Sequence, residues 1–185
     1  MSTHSVPQCF VPIRELPPYS YVSGKFPHPT GDPNGHSFGV SGQRFTIGSE
    51  DECRTCESYL WGIDLFNHGF YWEAHEAWEA VWHAAGRKGL IADFCKALIK
   101  FAAAGVKARE GRPEGVQRHA RRAKQLLQSV AAECDRENQR FMGLSLNALA
   151  TYADELIRNP EEIIDTGDEL VVVVMPFVLQ VAKNE

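Results

Sequence analysis

The sequence predicts an all-α fold, a helical bundle of about four to five helices with an extended Pro/Gly-rich N-terminal arm and a short extended C-terminal segment. Three observations carry this reading. Apolar residues recur at three- and four-residue steps through most of residues 50–160, the period that gathers them on one helix face. Pro and Gly crowd residues 1–49, where Pro27, Pro29 and Pro33 block regular helix and Gly24, Gly31 and Gly35 mark turns. Beyond Asn159-Pro160 the helical period stops, and the four valines at 171–174 favour extended backbone. The expected organisation is an arm at 1–49 packed on the body, a bundle domain at 50–160, and an extended or β-like tail at 161–185.

In the arm, Phe10, Tyr19, Tyr21, Phe26 and Phe38 are aromatic anchors that a disordered tail would lack. Asp51 and Glu52 suit the first turn of a helix, and Tyr59, Leu60, Ile63 and Phe66 continue it. Asn67-His68-Gly69 reads as a break. A helix follows over about 71–85, ending near Gly86. The run at 90–109 carries Ile91, Phe94, Leu98, Ala102 and Val106 on one stripe and small residues elsewhere, which suits the centre of a bundle. Gly111-Arg112-Pro113 ends it. A long helix then runs from 113 or 114 to 134 on Val116, Ala120, Ala123, Leu127 and Val130, and another spans about 144–158 with Leu149, Tyr152 and Leu156 inward. The apolar tail has three options: pairing with the arm, pairing across a homodimer, or covering the bundle.

Composition narrows the classes of function. The chain has 185 residues, 44% hydrophobic and 23% charged, enough for one domain with a sizeable core. A net charge of −5 disfavours general nucleic-acid binding. No apolar run is long enough to cross a bilayer, so no membrane partner is expected. The N-terminus lacks a basic start followed by an apolar segment, and a cytoplasmic location is the expectation. Five cysteines without regular spacing fit that expectation. Cys53 and Cys56 have the spacing of a redox or zinc pair, but neither a βαβ context nor a second pair accompanies them. Two reduced thiols near a helix start are expected.

The candidate chemistry lies on the helix at 71–85, YWEAHEAWEAVWHAA. At about 100° per residue, Tyr71, Trp78 and Trp82 cluster, and Trp72, His75, Glu76, Glu79 and His83 follow on the same side. Glu73 points the other way and is expected in solvent. His75 and Glu79, four apart, stack on a face that aromatic residues draw inward, where a carboxylate needs a partner, a proton or a cation. Metal ligation through His75 and Glu79 is one reading, with a divalent ion as the candidate cofactor. His83, or His28, Asp32 and His36 from the arm, could complete it. Tyr71, Trp72, Glu76, Trp82, His83 and Lys100 would line the ligand pocket. A structural ion pair is the other reading, with Lys96 and Lys100 on the next helix neutralising Glu79 or Glu76. The zinc-protease pattern HExxH fails because Glu79 stands where its second His would be.

The stretch FNHGFYWEAHE, with His75, Glu79 and Trp82 in a His-xxx-Glu-xx-Trp/Tyr motif, resembles the family of small helical proteins called domain of unknown function 309. The likeness continues through KALIKFAAAGVKAREGRPEGVQRHARRAKQLL and covers roughly residues 58–130. The resemblance implies an all-helical fold and a metal site at the motif, and it implies no particular reaction. Where the family's second motif reads like Gln-Gly-Leu-Ile-Gln, this chain has Lys96-Ala97-Leu98-Ile99-Lys100.

Residues 107–124 hold seven Lys/Arg and two Glu, and Arg118, Arg121, Arg122 and Gln125 share a face. The ten acidic residues at 133–169 are the expected counterpart of this face. Three functions stay open: a metal-assisted hydrolase with Glu76 as base, a non-enzymatic module binding a small molecule of unidentified class, and a protein that dimerises through its tail. Whether the protein is an enzyme is left undecided.

Overall fold

The computed structural model describes residues 9–40, 45–134 and 139–182; the remaining stretches of the arm and tail lie outside the described residues. Six α-helices follow one another: α1 Glu50–Thr55, α2 Glu57–Asn67, α3 Tyr71–Ala84, α4 Leu90–Arg109, α5 Pro113–Glu133 and α6 Leu146–Arg158, with a 3-10 turn at Pro160–Ile163. Each of the long helices packs on its predecessor, α3 on α2, α4 on α3, α5 on α4 and α6 on α5. The short connections from α2 to α5 make those neighbours antiparallel. The expected all-helical bundle is present, and none of its described helices is long and apolar enough to cross a membrane.

α1 starts with a full capping box: Ser49 Oγ accepts from the Glu52 N–H, and the Glu52 carboxylate accepts from the Ser49 N–H. The CxxC spacing does not make a pair. Cys53 is buried with its thiol against that of Cys95 on α4, and this contact together with burial pushes the Cys53 thiol up, while Cys56 sits at the start of α2. All five cysteines are free.

The centre of the molecule is fixed by two aromatic rings lying over glycines. A Cβ on Gly62 of α2 would stand 2.3 Å from Trp78 Nε1, and one on Gly105 of α4 would stand 2.4 Å from Tyr71 Cγ. Both rings belong to α3 and are essentially fully buried. The Trp78 Nε1–H donates to the Tyr59 carbonyl at 3.2 Å, so the indole is fixed in rotation as well as position.

Between α5 and α6 the sequence reading placed helix from about residue 144. Instead a two-residue hairpin, β1 Arg140–Phe141 and β2 Leu144–Ser145, turns through Met142 and Gly143, both at positive φ. Tyr59 Oη donates to the Met142 carbonyl at 2.8 Å, and Ser145 then caps α6.

The tail covers the bundle and forms no strand among its described residues. Its backbone N–H groups are held by side chains: Tyr71 Oη accepts from Val174 and Met175 at 2.9 and 3.0 Å, and Asn67 Oδ1 accepts from Leu179 at 2.8 Å. Met175, Phe177 and Leu179 are buried, whereas Leu170, Val173 and Val178 face out. Phe177 stacks flat on Tyr152, ring centres 4.0 Å apart. Gly69 lets the tail approach: its φ is +89°, and a Cβ there would lie 2.6 Å from the Val172 carbonyl oxygen.

Gly62→Ala and Gly105→Ala each force a buried ring out of its seat, so each is expected to lower stability by about 1–3 kcal/mol. Urea unfolding measures this; a cost below about 0.5 kcal/mol at both sites would show that α3 is not positioned by these contacts.

Candidate functional site

α3 presents polar groups on two sides, and they differ in how fully they are satisfied. On one side stands Glu73, which the helical wheel assigned to solvent. It is buried, 6% exposed, because the arm lies over it. Its carboxylate accepts from the Tyr21 N–H at 2.9 Å and Ser20 Oγ at 3.3 Å, and pairs with His36 Nε2 at 3.1 Å. A wheel built from one helix cannot see an element that packs from outside it. The fully buried Asp64 of α2 holds the arm in the same way, accepting from the Phe10 and Val11 N–H groups at 2.8 Å each. Burial raises the Glu73 pKa above its ordinary 4.5, against the lowering effect of these hydrogen bonds and of His36.

On the other side are His75, Glu76 and Glu79. Each offers one ligand atom, and the three atoms lie within 4.8 Å of one another. His75 and Glu79 are half-buried and Glu76 is exposed. His75 Nδ1 is buried and has no hydrogen-bond partner. The Glu76 Oε1 atom is 3.4 Å away, an ion-pair distance without hydrogen-bond alignment. Adjacent donors on a divalent ion at about 2.1 Å are about 3–3.5 Å apart, so side-chain rotation would have to draw the three atoms closer to form a coordination shell. The donors are one imidazole and two carboxylates, a set that suits borderline and hard divalent ions.

The other predicted residues divide. Trp72 is half-buried under the arm, 5.4 Å from the Tyr21 ring and 5.3 Å from the His28 ring. Trp82 packs against His83 and beneath the Lys96 ammonium, 5.6 Å from the ring centre. His83 is exposed and outside the three-residue group. Tyr71 is not brought to the group; its hydroxyl belongs to the tail. Among its described residues the arm supplies no ligand to the group: His36 is held by Glu73, His28 Nδ1 accepts from the Gly31 N–H at 3.1 Å, and Asp32 accepts from the Asn34 N–H at 2.9 Å.

Lys100 makes no ion pair with Glu79 among the described residues, but it feels Glu79's charge. Burial, then Lys96 and Arg122, lower its pKa, and Glu79 acts in the opposite direction. One residue was missed entirely. His119 of α5 sits half-buried where burial, then Lys100, Arg118, Lys107 and His75, push its pKa down to about 4. Its place amid the basic run RHARR hid it.

Two clefts lie away from this group. One of about 410 Å³ is lined by Lys25, Lys107, Arg109 and Arg112, whose charges are already held by Glu110, Asp165 and the carbonyls of Thr166 and Gly167. The other, of about 530 Å³, opens between Ile47, Leu90 and Phe141. Neither of these two clefts is lined by His75, Glu76 or Glu79.

Fold and site together define a helical-bundle protein with an incompletely satisfied His/Glu group on a central helix. Residues 59–119, about a third of the chain, match the family model described as Domain of unknown function (DUF309). The match includes α3, α4 and the first turns of α5, ending at His119. No curated protein and no solved structure matches the chain.

Glu73→Ala removes the acceptor from three donors and is expected to cost about 2–3 kcal/mol in chemical denaturation. A raised folded-state pKa stabilises fully below the ordinary 4.5 and loses that contribution as pH rises through the folded value. Glu73→Gln, which keeps an acceptor but cannot titrate, should flatten this part of the stability–pH curve. An unchanged curve would contradict the assignment.

Proposed function

We propose that His75, Glu76 and Glu79 bind a divalent metal ion on the exposed side of α3. The observation that carries this reading is the buried Nδ1 of His75, a ring nitrogen without a hydrogen-bond partner and with two carboxylates nearby. Buried polar atoms in folded proteins are satisfied with few exceptions, and a cation satisfies all three groups at once. Two carboxylates and a neutral imidazole also balance a dication's charge.

The protein's own residues give this site its character. Three ligands from little more than one helical turn can occupy only one side of an ion, leaving the opposite side to water or a ligand. Trp72 and Trp82, both half-buried, flank the stripe on α3. A bound divalent ion would supply Lewis-acid chemistry there, and the hydrolase version of the proposal assigns Glu76, the exposed carboxylate, as proton acceptor. The non-enzymatic version keeps the same ligands in a binding module. The ion-pair reading draws on the 3.4 Å approach of His75 Nδ1 to Glu76 Oε1 and on the response of Lys100 to Glu79.

Titration of the metal-free protein with Mn²⁺ and Zn²⁺, followed by calorimetry, distinguishes the readings. Saturable binding near one ion per chain is expected, weakened about tenfold or more by His75→Ala and by Glu79→Ala. Because His75 has no hydrogen bond to lose, His75→Ala should leave stability without metal within about 0.5 kcal/mol of wild type. Absence of binding, combined with a large loss of stability in these variants, would overturn the metal reading and support the ion pair.

A further inference from the structure

Among the described residues, only part of the basic face of α4 and α5 finds its counterpart in the chain's acidic half. Lys124 reaches Asp154 at 2.6 Å, and Arg109 takes Asp165. Lys96, Lys100, Arg118, Arg121 and Arg122 form no ion pair among the described residues; Arg122 instead bonds Gln125 at 3.2 Å. Their spacing makes two cationic rows, Lys96 with Lys100 on α4 and Arg118 with Arg122 on α5, each four residues apart.

The register of the two helices brings these rows together. Gly115 of α5 packs on Lys107 of α4, a Cβ there standing 2.8 Å from Lys107 Cγ. These two residues are each four positions from Gly111 at the turn. Continuing along both helices, Lys100 and Arg122 are each eleven positions from Gly111 and therefore level, about 16 Å from the turn. The charges respond accordingly: Lys100 is affected by Lys96, Arg122 and Arg118, and His119 by Lys100, Arg118 and His75. The cationic rows and the His75–Glu79 stripe thus share one surface across α3, α4 and α5.

We propose that Lys100, Arg118 and Arg122, with His119 beside them, form a binding site for the phosphoryl group of a small phosphate-bearing molecule. In the complete site this group would lie next to the metal ion, so the bridging part of the inference rests on the metal reading above. Neighbouring cations without counterions repel, and an anion among them relieves that repulsion. A carboxylate fills one guanidinium fork. Donors on two helices call for an anion with more oxygens and more charge, which a phosphoryl group supplies. The chain's net charge of −5 opposes a longer polyanion.

The test is a titration of the isotope-labelled full chain with inorganic phosphate, followed by nuclear magnetic resonance, first in chelator and then with Mn²⁺. In chelator, saturable shifts at Lys100, His119 and Arg122 are expected. Lys100→Ala and Arg122→Gln should each weaken phosphate on the order of tenfold, whereas Arg121→Gln should not. Arg122 is exposed, so its variant retains the fold if Lys100→Ala does not. His75→Ala should leave this arm unchanged, which separates failure of the metal site from failure of the anion site. With Mn²⁺ bound, the phosphorus signal should broaden in wild type and not in His75→Ala. The anion proposal is overturned by absence of saturable shifts, by equal affinity in the Lys100 and Arg122 variants, or by shifts confined to the cleft at Lys25 and Arg112. Tighter binding of a short single-stranded RNA than of phosphate at the same residues would also overturn it.

Discussion

The seating of two large α3 rings over glycines is the constraint on which the rest of the molecule depends. Trp78 over Gly62 and Tyr71 over Gly105 leave no room for another side chain, so α3 has one rotation about its axis between α2 and α4. Ridge-and-groove packing of ordinary side chains tolerates rotations of several degrees; a ring against bare backbone tolerates far less. That fixed rotation decides which polar residues meet the arm and which meet solvent.

The two sides of α3 then follow different rules. Asp64 and Glu73 are surrounded by backbone N–H and side-chain donors, which is how a buried carboxylate is tolerated at all. Desolvating a carboxylate costs several kcal/mol, more than one neutral hydrogen bond returns, so multiple donors are needed. At His75, Glu76 and Glu79 the same group types meet with no such donors. Contrast between Glu73, held by its donors, and the unpartnered His75 Nδ1, both on α3, is a stronger signal than the presence of either.

Much of the fold was legible because helix period and chain breakers agree. Leu90–Arg109 begins and ends where periodicity and Gly111 place it, and α3 differs from its predicted span by one residue. The hairpin at residues 140–145 was not legible, because two-residue strands carry no period. The valine-rich tail reads as β, but side chains of α2 and α3 take N–H groups that a neighbouring strand would otherwise hold. At the site, the His75, Glu76 and Glu79 side of the stripe could be read from spacing. Glu73, His36 and His119 could not, since their environments come from segments far away in sequence.

The hydroxyl of Tyr71 and the carboxamide of Asn67 have a consequence for synthesis of the chain. Their partners lie 103 to 112 residues downstream. On a ribosome, α2 and α3 emerge well before those partners, so Asn67 and Tyr71 must wait with water as their only ligand. Chain closure over such a span is slow compared with helix formation. The tail contacts therefore complete the fold after translation of this region, and the exposed hydroxyl of an unclosed Tyr71 marks a nascent chain whose helices precede its finished core.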